Sequence, residues 1–313
     1  MNSKEGLWKN NIFVCIVAFI CCFLWGSAFP CIKIGYEVFQ IASDDLGSRL
    51  VFAGVRFFMA GLLVIIFGSI LNKNVLIPKK ESKFPIFVLM MFQTILQYFF
   101  FYGGLASASG VSSSIITASS KFITILMAVF LFHYEKLTPR KVIGCIVGFL
   151  GVLMIQLPGA ELNMGFKLTG EGFILISSIS SSLAACFIKL YGKKESPVTL
   201  SGYQFFFGGL VMAIVGKLMG GRLDATTNLA WLLLLYMAGI SSVAYTLWGL
   251  LLKYNSVSKI SIFGFMNPVL GVILSAIILG EQNQAFSIWG IMSMILVTLG
   301  IVIVFRKADK QVA

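Results

Sequence analysis

Ten long apolar runs leave this chain little choice of fold. They lie at roughly 12–34, 48–71, 84–106, 109–132, 140–157, 170–191, 197–219, 229–252, 257–280 and 285–305. A helix needs about 20 mostly apolar residues to cross the hydrocarbon core of a bilayer, and each run is close to that length. A membrane β-barrel would show short alternating segments instead. The expected fold is an all-α integral membrane protein with ten transmembrane helices. Only 12% of the 313 residues are charged and 58% are hydrophobic, whereas soluble domains carry about 25% charged residues. The first run follows Lys4 and Lys9. It is too long for a signal-peptide core and has no small-x-small cleavage site, so it reads as a helix.

The net charge of +12 invites a nucleic-acid reading, but the positions of the cations explain it otherwise. Seventeen of the 24 Lys and Arg fall at the termini and in the alternate connections that share a side with them. Four, Arg49, Lys167, Lys217 and Arg222, fall on the other side. Basic loops stay in the cytoplasm, so both termini are expected there. The six cysteines all lie inside apolar runs, with no C-x-x-C pair and no adjacent histidine. They point to neither disulfides nor a metal site. No cofactor is expected.

The chain also resembles itself. "VRFFMAGLLV" (55–64) matches "YQFFFGGLVM" (203–212), an offset of 148, and near the same spacing Glu135 falls on Glu281 and Gly144 on Gly290. The expected organisation is a first five-helix repeat over 1–157, an external connection over 158–169, a second repeat over 170–306 and a cytoplasmic tail over 307–313. Five is odd, so the two halves enter the membrane in opposite directions. Inverted repeats suit alternating access around a site near the midplane.

Several motifs then resemble one family. "WGSAFPCIK" (25–33) is similar to the W-G-S-x-F-x-x-x-K stretch of the drug/metabolite transporter superfamily, in its ten-helix EamA-type branch. "VRFFMAGLL", "EKLTPRKVIGCIVGFLGVLMI" (135–155) and "NPVLGVILSAIILGE" (267–281) agree in order. The resemblance implies an inner-membrane carrier of amino acids and related metabolites with a central cavity, and it is the sole basis for expecting export. At an offset of 146, Asn267 and Pro268 fall opposite Lys121 and Phe122. Family members often carry proline in the fourth helix, so the lysine is a departure. Pro30 and Pro268 are the candidate hinges.

Three cations lie within the runs: Lys33, Arg56 and Lys121. Lys33, near the end of its helix, can snorkel to the headgroups. Arg56 either binds a helix C-terminus or lines the outer mouth of a cavity. Lys121 is about a dozen residues from both ends of its run, roughly 18 Å, too far to snorkel. An intramembrane charge should face the bundle interior or a wet cavity, either as a tie between helices or as a group that binds substrate. Helical spacing puts Thr117 on its face, with Ser120 beside it.

Gln93 and Gln97 share a face of the third helix, next to Tyr98 and Tyr102. Tyr245 and Trp248 form a stripe on the eighth helix. Asn267 stands beside the carbonyl that Pro268 frees, and Trp25 comes from the first motif. Any one of these aromatics fits packing as well as a site. Glu135 and Glu281 end equivalent helices, as structural ties or as gates on the two sides.

No Asp or Glu falls within the core of any run. That weakens an exporter of amphipathic drugs or toxic metabolites driven through a membrane carboxylate, which remains the alternative. It favours a small polar metabolite bearing a carboxylate, such as an amino acid, with a proton as an optional coupling ion. With one peripheral histidine, His133, and no nucleophile–base pair, no enzyme is expected. The partners are the small-molecule substrate and the lipid bilayer, with monomer and homodimer both open.

Overall fold

The computed structural model describes residues 3–42, 44–105, 107–108, 110–156, 167–279 and 288–305, and every regular element among them is helical. After a short leading helix, Ser3–Lys9, the chain forms α1 (Asn11–Val38), α2 (Leu46–Asn72), α3 (Lys80–Leu105), α4 (Gly110–Leu126), α5 (Pro139–Gln156), α6 (Leu168–Tyr191), α7 (Pro197–Leu218), α8 (Leu229–Tyr254), α9 (257–279) and α10 (Ile288–Phe305). Eight of these are long and apolar enough to cross a membrane, and α4 adds a shorter apolar segment, Ile115–Leu131. Large apolar side chains stand exposed along them, among them Phe67, Leu71, Leu218, Leu232 and Ile295. Water would not tolerate so much apolar surface, whereas lipid solvates it. The protein is a multi-pass membrane protein.

The helix starts follow local chemistry. Asn10 caps α1 by accepting the N–H of Ile12 at 2.9 Å, and Asp45 caps α2 by accepting the N–H of Ser48 at 2.8 Å. These satisfy donors that a first helical turn leaves open. Among the described residues π-turns occur at Met90–Leu96 within α3, at Met127–Leu131 after α4 and at Leu168–Gly172 opening α6. In α9 the segment Ile262–Phe265 is a 3-10 turn that leads into Pro268.

Small residues decide which helices touch. A Cβ on Gly54 would strike the backbone of Ala213 and Gly209, and one on Gly61 would strike the backbone of Phe206 and Gly202. Helices α2 and α7 therefore meet backbone to backbone along their length. Helices α5 and α10 do the same through Gly144, Gly151 and Gly300. Close approach of this kind holds membrane helices together when hydrophobic driving force is absent. α1 crosses α9 where Gly26 meets Leu270 and Gly271 meets Phe29. Both crossings lie within a turn of a proline, Pro30 or Pro268.

The serine-rich face of α6 packs on α4. Ser182 Oγ lies 3.0 Å from the Ser120 carbonyl and 3.0 Å from Thr124 Oγ1, and Ser177 donates to the Gln97 carbonyl at 2.7 Å.

Candidate functional site

Lys121 is held on α4 with its stem against α9. The nearest neighbour is Gly264, where an added Cβ would collide with Cε and would stand 3.1 Å from Nζ. Cys22 of α1 is within electrostatic reach of the ammonium, and its thiol donates to the Phe263 carbonyl at 3.3 Å. The ammonium sits among α1, α4 and the non-α turn of α9. Among the described residues it has no hydrogen-bond or ion-pair partner.

Pro268 has no N–H to give to residue 264, four positions earlier, so the helix tightens to 3-10 at that point. The same gap admits the lysine. Asn267, one position before the proline, has Oδ1 buried without a partner.

A second group lies between α1, α2, α3, α7 and α8. Tyr98 and Tyr245 share a hydrogen bond at 2.5 Å. Trp25 packs edge-on to Tyr245 at 5.1 Å and to Trp248 at 5.0 Å. Phe57 and Phe205 stack at 5.2 Å. The Arg56 guanidinium lies over Phe57 at 4.4 Å and over Tyr98 at 5.8 Å. Arg56 is 4% exposed, and among the described residues neither its Nε nor the Trp25 indole N–H has a hydrogen-bond partner; the Tyr102 hydroxyl faces that of Tyr36. Among the described residues Arg56 makes no hydrogen bond to a helix C-terminus.

Other expected residues lie elsewhere or are occupied. Gln93 is buried and accepts from Gln204 Nε2 at 2.7 Å, and Thr94 donates to the same Gln204 at 3.1 Å. This buried chain ties α3 to α7. Gln93 lies in the π-turn, whose wider winding breaks the α-helical spacing that put it on a face with Gln97; Gln97 is only partly buried. Ser120 is 1% exposed in the α4–α6 contact, whereas Thr117 is exposed.

Glu135 pairs with Lys141 at 2.6 Å and accepts the N–H of Ser258 at 2.9 Å, which joins the loop after α4 to the start of α9. Glu281 lies outside the described residues. Sequence reasoning passed over Gly264, Cys22 and Tyr36 as site residues, and it did not foresee the pairing of Gln204 with Gln93 or the burial of Arg49. It placed Arg49 among the loop charges, but the side chain is 8% exposed inside the bundle.

The EamA-like transporter family matches residues 12–157 and 168–306. The chain belongs to the EamA-like transporter family. A solved crystal structure covers 95% of this chain and 97% of its own, with a TM-score of 0.74 at 15% identity, which fixes the fold alone. An uncharacterized transporter of Archaeoglobus fulgidus is 29% identical over 90% of this chain and 95% of its own length. The S-adenosylmethionine uptake transporter of Rickettsia conorii is 24% identical over 86% of this chain and 89% of its own. The family and the relatives named here are transporters rather than enzymes.

Proposed function

We propose that this protein is a ten-span secondary carrier that moves a small polar metabolite bearing a carboxylate, such as an amino acid or a relative, by alternating access. The observation that carries the reading is Lys121: an intramembrane cation with no protein partner among the described residues, set against a broken helix. A lone charge at that depth is costly. A substrate carboxylate would supply the missing counter-charge, and Asn267 beside it has an unpaired acceptor for a substrate amine. Trp25, Tyr98, Tyr102, Tyr245, Trp248 and Arg56 line the rest of the path, with Gln97 and Thr117 at its edges. Gln93 and Ser120 support the walls.

The repeat supplies the device. The contact of Gly54 with Gly209 maps, on exchange of the halves at an offset of 148, onto the contact of Gly61 with Gly202. Phe57 and Phe205, which stack, are themselves 148 apart. Two family matches of similar length support the same division. A pseudo-twofold of this kind lets one site open to either side. Pro30 and Pro268, at the α1–α9 crossing, are the proposed hinges, and Glu135 with Glu281 the proposed gates. The loop charges support cytoplasmic termini, and family resemblance supports a cell inner membrane. Net outward movement rests on family resemblance; the Rickettsia conorii relative, named for uptake, makes direction an outcome to be measured.

The test uses purified full-length protein in liposomes, with labelled amino acids and other carboxylates offered from either side. Lys121→Gln is expected to insert normally and to lose at least about tenfold in transport, equivalent to ~1.4 kcal/mol. Undiminished transport by Lys121→Gln and Lys121→Ala would sink the reading. A rate that ignores an imposed pH gradient would remove the proton as coupling ion.

A further inference from the structure

We propose that Arg49, Arg56 and the phenols of Tyr36 and Tyr102 form a second anion-binding site, at the end of the bundle where α1 turns into α2. It shares Arg56 with the transport path and to that extent rests on the reading above, but its ligand binding is measurable without transport. Among the described residues, no ion pair neutralises either guanidinium. Arg49 and Arg56 are 8% and 4% exposed, and the Nε of each is buried without an acceptor. Neither has a hydrogen bond or ion pair with any described residue.

The nearby acids do not reach the arginines with a salt bridge. Asp45, one turn before Arg49, caps α2 by accepting the N–H of Ser48 at 2.8 Å and meets Arg49 and Arg222 only through their longer-range field, and Asp224 pairs with Arg222 at 3.0 Å. What the arginines do have is aromatic surface. Arg49 lies over the Tyr36 ring at 5.2 Å and Arg56 over Phe57 at 4.4 Å. Attraction to a ring face recovers only part of the hydration that a buried guanidinium loses.

The two arginines are seven residues apart on α2, two turns, so they share a face about 10 Å apart along the axis. Tyr36 sits within the field of both, and Tyr102 within that of Arg56. The hydroxyls of Tyr36 and Tyr102 are buried and face each other, and among the described residues neither has a hydrogen bond within 3.5 Å. Two forked cations, each with Nε unpartnered, beside a facing pair of phenols call for oxygen acceptors carrying negative charge. A planar fork matches carboxylate or phosphate oxygens two at a time. The ligand class is therefore an oxyanion, either a free carboxylate or phosphate or the phosphate of a phospholipid headgroup. On a carrier such a site would gather anionic substrate at one mouth before it meets Lys121.

The test is thermal unfolding of the purified full-length protein in lipid-free micelles of an uncharged maltoside. Sodium glutarate, inorganic phosphate and sodium chloride are titrated at matched ionic strength, and phosphatidylglycerol is added in a separate arm. Wild type is expected to gain a saturable rise in midpoint from glutarate or phosphate beyond that of chloride, or from phosphatidylglycerol alone if the occupant is lipid. Arg49→Gln and Arg56→Gln should weaken that apparent affinity at least about tenfold, Arg49→Lys by less because charge is kept and the fork lost. Tyr36→Phe, which removes only a hydroxyl, tests the site should an arginine variant fail to fold, and is expected to weaken binding severalfold. Lys121→Gln should retain the effect. The proposal is overturned if no oxyanion or phospholipid exceeds chloride in wild type, if Arg49→Gln and Tyr36→Phe respond as wild type does, or if Lys121→Gln alone abolishes the response.

Discussion

The stem of Lys121 rests on Gly264 so closely that the glycine has no room for a Cβ. The obstructing atoms are the far end of a flexible side chain rather than backbone. A methyl at residue 264 can therefore be accommodated by moving the lysine. Gly264→Ala is expected to leave folding intact while displacing the ammonium. Reconstituted transport should fall about tenfold, ~1.4 kcal/mol, with the unfolding midpoint within a few degrees of wild type. Normal transport by Gly264→Ala would mean that the position of Lys121 does not matter.

Tyr98 and Tyr245 join α3 to α8 through one hydrogen bond. Removing either hydroxyl strands the other in a buried setting, whereas removing both leaves nothing unsatisfied. Tyr98→Phe and Tyr245→Phe are each expected to cost about 1 kcal/mol, and the double variant little more than one single. Interhelical bonds in membranes average ~0.6 kcal/mol, which sets the scale of the coupling. Additive losses in chemical unfolding would show that the bond is not a shared one.

The α2–α7 contact tests packing in the same way. Gly209→Val would drive a branched side chain into the backbone of Phe58 and Gly54, which cannot step aside. It should abolish monodisperse protein on size-exclusion chromatography. Gly239→Ala is the control, since nothing lies within 4 Å of its Cβ position. Alanine there gains up to about 1 kcal/mol of helix propensity, so the midpoint should hold or rise.

Glu195, in the turn before α7, gives a pH prediction. Burial raises its pKa, but hydrogen bonds from the Ser82 hydroxyl and from the N–H groups of Ser196 and Lys79 outweigh that and hold it below the ordinary 4.5. The Ser82 bond is 2.5 Å long. A depressed carboxyl stabilises the fold above its unfolded value and loses that contribution as pH falls through its folded one. The stability gap between wild type and Glu195→Gln should be full at pH 7, shrink below about pH 4.5 and vanish in stronger acid. A gap that does not change with pH would place the effect in side-chain shape rather than charge.

The apolar runs determined the secondary structure by themselves, because a bilayer admits few alternatives to the helix. Expected and observed limits differ by a residue or two in most cases, by four at the end of α1, where Tyr36 and Val38 continue the helix, and at the start of α3, and by six at the end of α4, where the π-turn Met127–Leu131 takes over. The isolated charge of Lys121 was legible for the same reason: its depth follows from counting residues.

Through-space partners were not legible. Arg49 looked like a loop charge because a helix end in sequence resembles a helix end at the surface; only the packing of α1 over α2 buries it against Tyr36. Gln93 and Gln97 looked like a pair because i and i+4 share a face in an α-helix, and a π-turn removes that premise. Gln204, which claims Gln93, lies more than a hundred residues away. The sequence by itself determined where the chain crosses and where a charge is stranded. The tertiary structure alone decided which polar groups find each other, because pairing depends on helix rotation and crossing, and the glycines that set those act only on a neighbour already in place.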